Sequence, residues 1–86
     1  MERILTQRNI EQFYTWLKTE EKSRNTIEKY IRDVTAFESF LAGAEVMKET
    51  VIAYKNKLIS ENYAVRSINS MLASVNSLLA FLGWTE

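Results

Sequence analysis

The chain has 86 residues, 47% of them hydrophobic, and its eleven basic residues balance eleven acidic ones. This length predicts one small domain, and the hydrophobic fraction is too high for a disordered segment. The lack of cysteine and histidine excludes disulfides, thiolate metal sites and the most common general base. We expect no enzyme activity, metal or cofactor. We expect a cytoplasmic location away from membranes, because no apolar run approaches about 20 residues and no signal peptide layout is present.

Hydrophobic residues recur at steps of three and four along most of the chain, which predicts an all-α fold. The sequence contains no alternating apolar and polar run with a two-residue hairpin turn, so no strand is predicted. Ser23 is the predicted N-cap of the clearest helix, and Gly43 is predicted to end it in a left-handed conformation. The four predicted helices cover residues 9–20, 24–42, 48–60 and 65–82.

Further side chains have predicted positions that rest on their chemical type as well as on the apolar period. Asn9 is the predicted N-cap of the first helix, with Thr6 as the alternative, because either side chain offers an oxygen. Trp16 lies off the apolar stripe, so we expect it at the edge of the stripe or against another helix. Asp33 and Glu38 are expected on the outer side of the second helix, in surface ion pairs that add little stability.

The sequence contains an internal repeat. The apolar positions of the first half coincide with those of the second half after a shift of 41 residues. The helix starts match as well, since Ser23 aligns with Ala64 and Ile27 with Ile68. The alternative is that any two amphipathic hairpins of similar length would align. The matching caps and turns favour a true repeat, in which two helix hairpins bury their apolar faces against each other.

The starts of the second and fourth helices combine arginine with small polar residues. Free N–H groups at a helix start bind anions, and such side chains contact DNA phosphates or base edges. Ordinary capping is the alternative reading, because it selects the same small polar residues. The residues concerned are Ser23, Arg24, Asn25 and Thr26, then Arg66, Ser67, Asn69 and Ser70.

A resemblance to a known family rests first on SRNTIEKYIRDVTAFESFL, which is the second predicted helix. This segment resembles the Ser-x-Asn-Thr-Ile-x-x-Tyr-x-x-Asp pattern of the N-terminal SAM-like, core-binding domain of tyrosine recombinases, or phage integrases. A weaker similarity to the same domain lies in VRSINSMLASVNSLLAFLGW. The resemblance covers residues 9–84 and implies a four-helix SAM-like bundle of two hairpins. Residues 1–86 would then form a single core-binding domain, and the ending at residues 84–86 would fit a cut just before an interdomain linker.

The resemblance implies two partners. The first is double-stranded DNA, which the second and fourth helices would clamp on one side of a recombination site. The second is a C-terminal catalytic domain of the same parent protein, absent from this chain, which would carry out DNA integration or recombination. We expect the isolated domain to be a monomer and the parent to be a tetramer on DNA. The predicted DNA-binding residues are Lys22, Arg24, Asn25, Thr26, Lys29, Arg32, Arg66, Ser67, Asn69, Ser70 and Asn76.

The chain departs from the family in its fourth helix. Ser70, Met71 and Asn76 stand where arginines are frequent, and each missing phosphate contact lowers affinity and salt dependence. We therefore expect weak DNA binding by the isolated domain. The alternative function is a helical SAM-like protein-interaction module without DNA binding, which the neutral charge and Trp16 favour. A basic stripe joining the two helices would favour DNA, and an apolar patch around Trp16 would favour a protein partner.

Overall fold

The protein is a bundle of four α-helices in the computed structural model, which describes residues 2–84. The all-α prediction is confirmed, and every predicted helix end lies within two residues of the observed one. Of the chain ending that is expected to precede a linker, residues 85–86 lie outside the described residues. The helices are α1 (Gln7–Thr19), α2 (Arg24–Leu41), α3 (Lys48–Ser60) and α4 (Val65–Leu82).

The structure repeats with the same period as the sequence. Adding 41 to the bounds of α1 gives those of α3, and adding 41 to α2 gives α4. The turns within the two hairpins also agree in their hydrogen bonds. The N–H of Lys22 donates to the carbonyl of Leu17 at 3.3 Å, and that of Tyr63 donates to Leu58 at 3.3 Å. This agreement of helix bounds and turns confirms a true repeat.

The two hairpins bury their apolar faces against each other in one core. The rings of Phe13 and Phe81 lie 5.6 Å apart between α1 and α4. Their repeat counterparts Tyr54 and Phe40 lie 5.1 Å apart between α3 and α2. Each first helix therefore contacts the second helix of the other hairpin, so the contacts between the two halves are reciprocal. The fully buried apolar residues of α2 and α4 are Val34, Phe37, Val75 and Leu78.

The predicted N-cap of α1 is wrong, because Thr6 begins the helix. The hydroxyl of Thr6 accepts a hydrogen bond from the N–H of Asn9 at 3.3 Å. In return, the side-chain oxygen of Asn9 accepts from the N–H of Thr6 at 2.8 Å. This reciprocal arrangement satisfies two backbone donors, whereas a cap at Asn9 would satisfy one. The alternative that the sequence left open is therefore the correct one.

The end of α2 also differs from its prediction. Ala42 adopts a left-handed conformation with φ of 48°, and its N–H donates to the carbonyl of Glu38 at 3.1 Å. Gly43 follows with φ of 89°, so the predicted glycine is the second left-handed residue of the turn. Gly83, the repeat counterpart of Ala42, ends α4 with φ of 73°. The first hairpin thus has alanine where the second has glycine. Alanine costs more free energy there, because its Cβ disfavours the left-handed conformation.

Trp16 lies at the edge of the apolar stripe and packs on another helix, as expected. Its ring stacks on Phe13 at a centroid distance of 5.9 Å and lies 5.3 Å from Phe81 of α4. It nevertheless keeps 36% of its surface exposed. Trp16 therefore belongs both to the rim of the core and to the outer surface.

One expectation about apolar segments requires correction. Within residues 2–84, α4 is the helix whose length and composition would permit it to cross a membrane. In the folded structure, apolar residues of α4 form part of the core that the two hairpins share, namely Ile68, Val75 and Leu78. The helix also carries Arg66 and Asn69, which are exposed.

Candidate nucleic-acid interface

An open groove of about 380 Å³ lies between α2 and α4, and both helices contribute polar side chains to it. Arg32 and Lys29 line it from α2, and Ser67 and Ser70 line it from α4. The fold thus brings together four of the predicted DNA-binding residues from distant parts of the sequence. Cationic and hydroxyl groups in one groove can contact the oxygens of a phosphate backbone.

Arg32 supplies the available positive charge of this groove. Its side chain is exposed, and it makes no ion pair with any residue between 2 and 84. A free guanidinium presents its donors in a planar fork that suits phosphate or a guanine edge. Arg32 can therefore bind an anion without breaking a contact within the protein.

Asp33 lies in the interior at the base of the groove, so its predicted position on the outer surface is wrong. It is 5% exposed, and its carboxylate accepts from the ammonium of Lys29 at 2.6 Å. The hydroxyl of Ser74 on α4 donates to the same oxygen at 2.7 Å. A buried carboxylate requires such partners, because desolvation would otherwise disfavour its charge. Glu38 is half-buried and, unlike Asp33, makes no ion pair within residues 2–84, so its predicted ion pair is wrong.

The charge of Asp33 also influences the core. Burial raises the pKa of the Tyr54 phenol above its ordinary value of 10.0, and the negative charge of Asp33 raises it further. Both effects act in the same direction, because each disfavours the phenolate anion. The carboxylate therefore matters beyond the hydrogen bonds that it accepts.

A second group of cations lies in a recess between α1 and the start of α2. Lys18, Lys22 and Arg24 line one recess together with Tyr14. The ammonium of Lys18 lies 5.4 Å from the centre of the Tyr14 ring. Arg24 approaches Glu28 at 4.0 Å in an exposed pair, which holds it weakly. Lys18 is absent from the predicted residues, although its position four residues after Tyr14 indicates this contact.

Of the predicted DNA-binding side chains at the start of α2, two take part in capping the helix and another is exposed to solvent. Ser23 caps the helix, since its hydroxyl oxygen accepts from the N–H of Thr26 at 3.2 Å. The same hydroxyl donates to the side-chain oxygen of Thr26 at 2.9 Å. Asn25 is exposed. The capping interpretation therefore accounts for Ser23 and Thr26 and leaves Asn25 available.

The predicted residues of α4 outside the groove fall into two places. Arg66 and Asn69 are exposed near the start of the helix. Asn76 lines a different recess, which it shares with Val51 and Trp84. The structure thus does not bring Asn76 together with the groove residues.

Comparison with known proteins places these features in a family. Residues 10–86 match the family described as phage integrase, N-terminal SAM-like domain. The chain is 30% identical to tyrosine recombinase XerA of Pyrococcus horikoshii over 82 residues. This alignment covers 95% of the chain and 28% of that protein. It is 29% identical over 85 residues to tyrosine recombinase XerA of Pyrococcus furiosus, with coverages of 99% and 29%.

The match to the family extends through all but the beginning of the helical bundle. The chain spans less than a third of the length of both Pyrococcus relatives. No solved structure matches the chain. The family match over residues 10–86 and the repeated four-helix fold show that this chain belongs to the phage integrase N-terminal SAM-like domain family.

Proposed function

We propose that the chain is the DNA-binding module of a site-specific tyrosine recombinase. The family and the names of both relatives support a recombinase module. The observation that carries DNA binding is the groove in which Arg32 of α2 faces Ser67 and Ser70 of α4. Catalysis would belong to a C-terminal domain of the longer parent, which would act as a tetramer on DNA in the cytoplasm.

The start of α4 adds a second feature that suits a phosphate. Ala64 precedes the helix and offers no side-chain oxygen, so the first N–H groups lack the cap that Ser23 gives α2. Such free donors and the positive end of the helix dipole favour an anion. Arg66 is exposed in the same turn. A phosphate at this position would satisfy the backbone donors and the guanidinium together.

The neutral net charge indicates that binding by the module alone is weak. The cations available among these residues are few, namely Arg32 in the groove, Arg66 at the start of α4, and Lys18, Lys22 and Arg24 in the recess between α1 and α2. Each phosphate contact contributes about 0.9 to the slope of log affinity against log salt. The catalytic domain of the parent would supply the remaining affinity.

The test is the affinity of the purified chain for a fluorescent DNA duplex, measured by anisotropy at several salt concentrations. Arg32→Ala should lower the affinity and reduce the salt slope by about 0.9. Lys55→Ala is the matched control, because Lys55 is an exposed cation on α3 outside the groove. Equal losses in the two variants, or a duplex that does not bind at low salt, would contradict the proposal.

A protein-interaction module is the second candidate, favoured by exposed aromatic side chains on α1. Tyr14 is 44% exposed and Trp16 is 36% exposed. Under the DNA proposal, Trp16→Ala leaves duplex binding unchanged once the variant is shown to be folded. A chain that binds no duplex, alone or within its full-length parent, would favour the interaction module.

A further inference from the structure

The polar cluster at the base of the groove uses every donor of Lys29. Besides the Asp33 carboxylate, its Nζ lies 3.3 Å from the Ser74 hydroxyl oxygen and 3.4 Å from the carbonyl oxygen of Ser70. An ammonium group has three N–H donors, so three acceptors occupy it fully. Two of these acceptors belong to α4. One lysine of α2 therefore connects the two helices that border the groove.

The burial of Asp33 makes this arrangement difficult to open. If Lys29 turned outward to bind a phosphate, Asp33 would remain a buried carboxylate with Ser74 as its partner across the interface. The Lys29 side chain is 36% exposed, whereas that of Asp33 is 7% exposed, so loss of the ammonium would leave a buried carboxylate without its counter-charge, which is unfavourable. Arg32 faces no such obstacle, since it has no ion pair to break within residues 2–84.

We propose that Lys29, Asp33 and Ser74 form an interhelical clamp that holds α2 against α4, so that Arg32, and not Lys29, provides the cation that binds DNA in the groove. The three residues are positioning residues, and the proposal reassigns Lys29 from the predicted DNA contacts. Its second half rests on the proposed DNA-binding function. The clamp itself is a property of the free chain and can be tested without DNA.

The first experiment measures the clamp by urea unfolding of the free chain. Ser74→Ala should raise the unfolding equilibrium constant about tenfold or more, because it removes a buried hydrogen bond to a charged group. Ser77→Ala is the matched control on the same helix, since its hydroxyl makes no hydrogen bond within the described chain and should matter little. Combining Ser74→Ala with Asp33→Asn should give less than the sum of the single effects. Additive effects would overturn the clamp.

The second experiment separates positioning from phosphate contact by the salt dependence of duplex binding. The paired variant Lys29→Met with Asp33→Asn removes both charges and keeps the net charge unchanged. We expect weaker binding, because the helices lose their clamp, with a salt slope equal to that of the unaltered chain. Arg32→Ala should lose about 0.9 of that slope. A similar loss in the paired variant would show that Lys29 binds phosphate and would overturn the proposal.

A spectroscopic measurement on the unaltered chain covers the case in which the paired variant does not fold. The side-chain ammonium signal of Lys29 in NMR spectra should stay unchanged when the duplex is added, whereas the guanidinium signal of Arg32 should shift. A shift of the Lys29 signal would overturn the assignment. If the unaltered chain binds no duplex, the proposed function fails, while the unfolding experiment still decides whether the clamp exists.

Discussion

Ser74 follows Asp33 by 41 residues, the length of the repeat, and its hydroxyl donates a hydrogen bond to the Asp33 carboxylate at 2.7 Å. Residues at equivalent positions of the two hairpins therefore meet in the middle of the bundle. Identical residues would serve poorly there, since two aspartates would repel each other and two serines would leave Lys29 without a counter-charge. The two halves thus share a fold but differ at their point of contact, where complementary side chains are required.

Arg66 provides a test of the DNA face at the start of α4. Arg66→Ala should weaken duplex binding several-fold, because it removes a cation beside uncapped N–H groups. The melting temperature should not fall, because the side chain is exposed and makes no ion pair among residues 2–84. Anisotropy titration and calorimetry measure the two quantities, with Lys55→Ala as control. Unchanged affinity would remove Arg66 from the interface.

The different caps of α2 and α4 predict opposite effects of exchanging their residues. Ser23→Ala should destabilise the fold by about 1 kcal/mol, because it removes a cap, whereas Ala64→Ser should stabilise it by about 1 kcal/mol. Both positions have extended backbone, with ψ of 156° and 147°, so a serine at 64 can reach the N–H groups. Urea unfolding measures both changes. A destabilised Ala64→Ser variant would show that the two starts are not equivalent.

The left-handed ends of the two hairpins predict a second exchange. Gly83→Ala should cost about 1 kcal/mol, because a Cβ is unfavourable at a φ of 73°. Among residues 2–84, no atom outside the two adjacent residues lies within 4 Å of such a Cβ, so the cost comes from the backbone conformation. Ala42→Gly should stabilise the fold by about 0.5 kcal/mol, since relief of strain exceeds the added freedom of the unfolded chain. Thermal unfolding of both variants checks these signs.

The raised pKa of Tyr54 predicts a loss of stability at alkaline pH. Burial and the charge of Asp33 keep the phenol protonated in the folded state, while the unfolded phenol ionises near pH 10.0. Above this value the folded state binds more protons than the unfolded state, so the free energy of unfolding falls as pH rises. Tyr54→Phe should reduce this fall. Tyr14→Phe, at an exposed tyrosine, is the control and should leave the fall in place.

Local patterns were sufficient to predict most of the fold. Helix positions follow from the apolar period, and the repeat follows from comparing that period between the two halves. The errors were at places where two alternatives satisfy the same local rule. Thr6 and Asn9 both offer a capping oxygen, and the reciprocal bond between them decides which residue begins α1. Ala42 ends α2 with a positive φ of 48°, which alanine disfavours, at the position that Gly83 occupies in the second hairpin.

The candidate site was predicted less completely, because a list of polar residues does not say which of them share a surface. Arg32 and Ser67 come together in the groove, whereas Asn76 lies in another recess. Lys18 was missed because it belongs to α1, outside the two helices that the resemblance emphasised. Its place beside Lys22 depends on how the first hairpin closes.

The amino-acid sequence by itself determined the four helices, their apolar faces, the repeat and the family, because each is written in the spacing of residues close along the chain. The tertiary structure decided the position and role of Asp33. Its position along α2 lies beside the apolar stripe, and its charge predicted that the side chain would be exposed at the surface. The partners that stabilise it in the interior include Ser74, which lies on a helix 41 residues away. A charged side chain can be buried only where neighbouring groups form hydrogen bonds or ion pairs with it, and the packing of the helices determines which groups those are.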